Sequence, residues 1–171
     1  MDRRTFLITS GISTAGLIAG SAAYRVGTVW WDQSPSPSYE MLSEGETAIA
    51  EAITDAIFPG DHLGMPNGND VDTVATLDEY LAAIDERTAN YLRLLLHAID
   101  ELSVVSGLKM RRFHRRSRDE RIKILNAWDS SRIAARREAF SALKLILSMG
   151  YCESPQVMGA AGIDYDCGAF P

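Results

Sequence analysis

The stretch Thr88 to Val105, TANYLRLLLHAIDELSVV, decides the fold class. Tyr91, Leu92, Leu95, Leu96, Ile99, Leu102 and Val105 recur at i, i+3 and i+4, which lines one side of an α-helix with apolar groups. Gly107 follows where helices often end in a left-handed residue. Upstream, Ser43 and Glu46 make a capping box, and Ile49, Ala50, Ile53 and Ile57 repeat at helical spacing. These residues predict a helix from about Glu44 to Ile57 or Phe58, stopped by Pro59-Gly60. The loop PGDHLGMPNGND follows, and a short helix starts near Asp72 or Thr73 with Val74, Leu77, Leu81 and Ile84 inward. Downstream, Ser117 and Glu120 repeat the capping-box signal before Ile122, Leu125 and Trp128. Ser130 or Ser131 then caps a last helix through Ile133, Phe140, Leu143, Ile146 and Leu147, closed by Gly150, with an irregular tail from Tyr151 to Pro171. No alternating strand pattern competes, so the expected fold is all-α, with about five helices.

The first residues read differently. Arg3-Arg4-Thr5-Phe6-Leu7 leads into a weakly apolar run diluted by Gly, Ser and Thr, without charge until Arg25. This is the layout of a twin-arginine export signal, with Arg3, Arg4, Phe6 and Leu7 as its signature. The run lacks the ~20 strongly apolar residues of a membrane-spanning helix. Ser21-Ala22-Ala23 offers a cleavage site, which divides the chain into a signal (residues 1–23), an extended Ser/Pro linker (24–42, containing DQSPSPSY) and a helical domain (43–171). That route exports proteins already folded, so the expected location is periplasmic.

Charge and cysteine content narrow the chemistry. The 171 residues carry net charge −6, and removal of residues 1–23 leaves 15 basic and 22 acidic residues, net −7. Within that acidic chain, Lys109 to Lys123 holds eight basic and two acidic residues. Phe113 among the arginines gives the segment a superficial likeness to a nucleic-acid surface, but an exported protein meets no nucleic acid. The segment reads either as a solvated face neutralised by acidic helices or as a docking surface for an acidic partner or anionic lipid. Cys152 and Cys167 are the only cysteines. They can close a loop of about 15 residues, a disulfide contributing on the order of 3 kcal/mol, or Cys152 can bond to another subunit.

Catalytic equipment is sparse. The sequence has no glycine-rich dinucleotide fingerprint and no haem-attachment motif. His62, His97 and His114 stand in no metal-ligand spacing. His97 lies beside the apolar stripe of the long helix, which suits a satisfied histidine better than a catalytic one. Asp61, Asn67, Asn69 and Asp70 match no known calcium loop and read as turn residues. An enzyme working alone would have to rely on a pair such as Asp61 and His62.

The segments LSEGETAIAEAITDAIFPGD, LDEYL, RDERIKILNAW and RREAFSALKLIL, with Tyr151, Pro155 and Gly162-Ile163-Asp164-Tyr165-Asp166 in the tail, carry a resemblance. In this order, from about Met41 onward, the chain resembles the gluconate 2-dehydrogenase subunit 3 family. The resemblance implies a small, cofactor-free helical subunit of a periplasmic, membrane-associated dehydrogenase. Its catalytic partner would be a large FAD-carrying subunit of the glucose–methanol–choline class, usually with a multihaem c-type cytochrome as a third subunit. The partner would cross the membrane through the twin-arginine translocase on this chain's signal. The density of Arg111-Arg112 and Arg115-Arg116, and Cys167 in the tail, depart from the family pattern and bear on the substrate subgroup. The expected partner-binding residues are Trp30, Trp31, Tyr39, Tyr151, Cys152, Tyr165 and Phe170, because aromatic groups dominate such contacts. Rival expectations are a stand-alone helical periplasmic enzyme and a scaffold that keeps its N-terminal segment as an anchor.

Overall fold

In a computed structural model, which describes residues 34–60, 63–105 and 111–163, the chain forms six α-helices and two short 3₁₀ turns, with no strand among these residues. Helix α1, Glu44–Ile57, is the element around which the others gather: α2 (Thr73–Ala83), α3 (Glu86–Val105), α4 (Arg118–Asp129) and both 3₁₀ turns pack on it. Its start is the expected capping box, in which Ser43 N–H and Oγ–H donate to Glu46 Oε2 at 2.9 and 2.8 Å. Ile49, Ala50 and Ile53 turn inward. Burying a residue such as Ile53 stabilises by about 1.5–3 kcal/mol, which fixes the helix by packing more than by propensity. Pro59 ends it, and Gly60 follows with φ +78°, where a Cβ would lie 2.6 Å from the backbone nitrogen of Asn67. No other residue fits that turn without moving the loop.

Helix α5, Ala134–Glu153, forms the second framework, crossing α2 and touching α3, α4 and the short α6, Pro155–Ala160. Gly150 does not close this helix. It sits where α5 crosses α2, and a Cβ on it would meet the Cβ of Thr76 at 2.6 Å, so the missing side chain allows the close approach. The helix continues to Glu153. Its N-cap is Ile133 rather than a serine, and Ser131 Oγ accepts the Ile133 N–H at 3.2 Å. Part of the tail expected to be irregular is helical: Ser154 stands at the N-cap of α6 and Pro155 occupies its first turn, where its missing N–H costs nothing.

The long helix α3 buries the middle of the stripe its sequence predicts, with Leu95, Leu96 and Ile99 inside and Leu92 packed against the core, but not Tyr91 and Leu102 to either side. Ala89, Leu96 and Ile99 are fully covered, but Tyr91 is 57% and Leu102 51% exposed. His97, Asp100 and Ser103 are buried in their place. The boundary at Gly107 lies outside the described residues.

The linker expected through residue 42 is shorter. From Pro35 the chain belongs to the helical unit, and Leu42 is fully buried. Asp78 on α2 holds it down: its carboxylate accepts the backbone N–H groups of Glu40, Met41 and Leu42 at 2.8, 2.9 and 2.8 Å. No helix among the described residues is long and apolar enough to cross a membrane.

Candidate functional site

Buried charges are where chemistry would first be sought. Glu46, with no exposed surface, joins α1 to α3: Arg93 donates from Nε and Nη2 at 2.8 and 3.1 Å, and His97 Nε2 lies 3.2 Å from Oε1. With Ser43, these groups occupy both oxygens. Burial alone would raise this carboxyl's pKa, but the hydrogen bonds from His97, Arg93 and Ser43 outweigh it and hold the group at about 2. Asp55 of α1 accepts from Arg118 Nη2 at 2.7 Å, Arg121 Nη1 at 3.0 Å and Asn67 Nδ2 at 3.1 Å. The Arg118 hydrogen bond is the chief reason its carboxyl titrates below the ordinary aspartate range. Asp100 Oδ1 accepts the His114 backbone N–H at 3.1 Å and faces His114 Nδ1 at 2.8 Å. Each carboxylate is engaged by its own neighbours, whereas a general base needs a lone pair within reach of a substrate proton. These networks clamp helices together.

They also account for much of the basic segment. Arg118 and Arg121 neutralise Asp55, Arg112 faces Glu101 at 3.8 Å, and Arg116, 8% exposed, donates to the Ser103 carbonyl at 2.8 Å. Phe113 is fully buried in the core, not presented among the arginines as a stacking platform. Arg111, Arg115 and Lys123 remain exposed.

Of the expected partner-binding residues, three are described. Tyr39 packs partly buried against the core. Tyr151 is built into the domain: it is 7% exposed, stacks on Phe58 with ring centroids 4.2 Å apart, and donates its hydroxyl to the Pro66 carbonyl at 2.8 Å. Both polar and aromatic contacts of its side chain are thus satisfied internally. Cys152, the next residue on α5, is exposed with a free thiol. The export-signal residues Arg3, Arg4, Phe6 and Leu7, together with Trp30, Trp31, Tyr165, Phe170 and Cys167, lie outside the described residues, as do Asp61 and His62. No metal-holding group of His, Cys, Asp or Glu occurs among the described residues.

One feature was not expected from the sequence, a groove beside the crossing of α2 and α5. Its wide end, about 590 Å³, is lined by Asp70, Asp72, Glu79 and Glu153. Its narrow end, about 240 Å³, shares Thr76, Glu79 and Glu153 with the wide end and adds Tyr80, Ala83, Ile146 and Met149. Met149, which lines the narrow end, falls off the buried stripe of α5.

Comparison with characterised proteins and with solved structures gives no significant match. The helical body does match a family: residues 44–171 fit the one described as gluconate 2-dehydrogenase subunit 3, and the chain belongs to that family.

Proposed function

We propose that this chain is the non-catalytic small subunit of a periplasmic, FAD-dependent sugar, sugar-acid or alcohol dehydrogenase. It escorts a folded flavoprotein subunit of the glucose–methanol–choline class through the twin-arginine translocase and stabilises it afterwards. A multihaem cytochrome c completes the complex at the membrane. The flavin belongs to the partner. The observation that carries this reading is the family match across residues 44–171. Two features support it: the Arg3-Arg4-Thr5-Phe6-Leu7 stretch ahead of that body, and the use of Glu46, Asp55, Asp78 and Asp100 for internal hydrogen bonds.

The test is co-expression of a glucose–methanol–choline flavoprotein subunit from the source genome, with the chain, without it, and with Arg3→Lys/Arg4→Lys. Export of flavin-loaded partner should need both the chain and its arginine pair. Equal export in all three strains would refute the proposal.

A further inference from the structure

Helix α5 covers one side and leaves another bare. Phe140, Leu143 and Leu147 enter the core, whereas Leu145 is 62% and Met149 50% exposed. With the exposed Ala142 they form a stripe at i, i+3 and i+7. Of this stripe Met149 reaches the narrow end of the groove, where Ile146 of α5 and Tyr80, 38% exposed, and Ala83 of α2 complete the apolar surface. Continuous apolar surface rimmed by polar groups marks an interaction site, unlike single exposed leucines.

The rim identifies the occupant's chemistry. Asp70, Asp72, Glu79 and Glu153 border the groove, and none of them is in an ion pair among the described residues. Asp55, by contrast, carries two arginines. The groove therefore presents uncompensated negative charge around an apolar floor. Its apolar end, about 240 Å³, falls below the ~300–1,000 Å³ of pockets that enclose small ligands, and its wide end, about 590 Å³, is bordered mainly by acids and small polar groups where such pockets are mainly apolar. The apolar end suits a single projecting side chain. A second copy packed through the same face would bring Glu79 and Glu153 against their own equivalents, a like-charge contact that opposes association.

We propose that the groove between α2 and α5 seats a segment of the dehydrogenase's catalytic subunit. That segment inserts an apolar side chain between Tyr80 and Met149 and sets Arg or Lys residues opposite Glu79 and Glu153. This inference rests on the proposed function for the partner's identity and adds where it binds.

The test uses the full chain and a flavoprotein subunit that its expression exports, with affinity measured by calorimetry. Met149→Glu and Glu79→Lys/Glu153→Lys each weaken binding at least about tenfold, a loss typical of residues at an interface centre. Lys123→Glu, on exposed α4 surface, leaves it unchanged. Unaltered helical circular dichroism and urea midpoint confirm that the variants fold. Hydrogen exchange on the wild-type proteins gives an independent reading: α2 and α5 amides slow on complex formation. If the wild-type chain binds the flavoprotein and both groove variants bind equally well, the groove is not the seat, while the proposed function stands. If the wild-type chain does not bind at all, the proposed function fails and this inference with it. Equal exchange of the α2 and α5 amides with and without the flavoprotein also overturns the inference. Protection of those amides in the isolated chain that rises with its own concentration overturns it too and assigns the groove to a second copy.

Discussion

Replacing Glu46 with Gln removes one charge from a site with no exposed surface and sets an amide NH₂ against the donors of Arg93 and His97. Removing one partner of a buried ion pair costs about 3–5 kcal/mol, because the other charge stays desolvated and uncompensated. Titration gives a second route to the magnitude. The carboxyl is held at about 2 in the folded protein against 4.5 ordinarily, and at 1.36 kcal/mol per pH unit this difference is worth about 3 kcal/mol. The folded value is the depressed one, so this stability is fully present above pH 4.5 and is lost as pH falls from there toward 2. Equilibrium urea unfolding, followed by helical circular dichroism, measures both quantities. Glu46→Gln should lose about 3 kcal/mol at neutral pH, and its deficit relative to the wild type should shrink to roughly half by about pH 3. Other carboxylates titrate equally in both proteins and cancel in the difference. A deficit under about 1 kcal/mol, or one equal at the two pH values, would refute the clamp described here.

Gly150→Ala tests the helix crossing: at an exposed helical site this change would stabilise by up to about 1 kcal/mol, but the close contact with Thr76 should make it destabilising by about 1–3 kcal/mol, read from the shift in urea midpoint. Asp78→Asn should free the segment ahead of α1, and limited proteolysis or hydrogen exchange should find residues 36–42 opened, with about 1–3 kcal/mol lost overall. Phe113→Ala should cost about 3–5 kcal/mol in urea unfolding, as removal of a buried ring does, while a loss under about 1 kcal/mol would place Phe113 outside the core.

The helices were legible wherever local signals were strong. Ser43 with Glu46 and Ser117 with Glu120 mark the first turns of α1 and α4, because both capping and dipole effects act within a few residues of chain. On α3 the buried Leu95, Leu96 and Ile99 and the satisfied His97 beside them were legible. The burial of Asp100 was not, because periodicity treats an aspartate as outward, whereas here His114, distant in sequence, satisfies it in the interior. Gly150 misled for a related reason: glycine marks a helix end or a close crossing, and only the position of Thr76 distinguishes the two. The strap of residues 35–42 read as linker because its anchor, Asp78, lies on another helix. Neutralisation by acidic helices was one of two readings of the basic run, but which acids do it was not legible, since Asp55 and Glu101 belong to α1 and α3. The α2–α5 groove could not be read at all until the two helices were placed together.

The central claim is that this chain carries a catalytic partner and does no turnover itself. It is tested most directly by purifying the dehydrogenase complex from the periplasm with a tag on this chain, then assaying the intact complex and each separated subunit for substrate-dependent dye reduction. The account predicts flavin and activity in the complex and in the large subunit, and none in this chain. Turnover by this chain alone, or a tag that retrieves it without any flavoprotein, would contradict it.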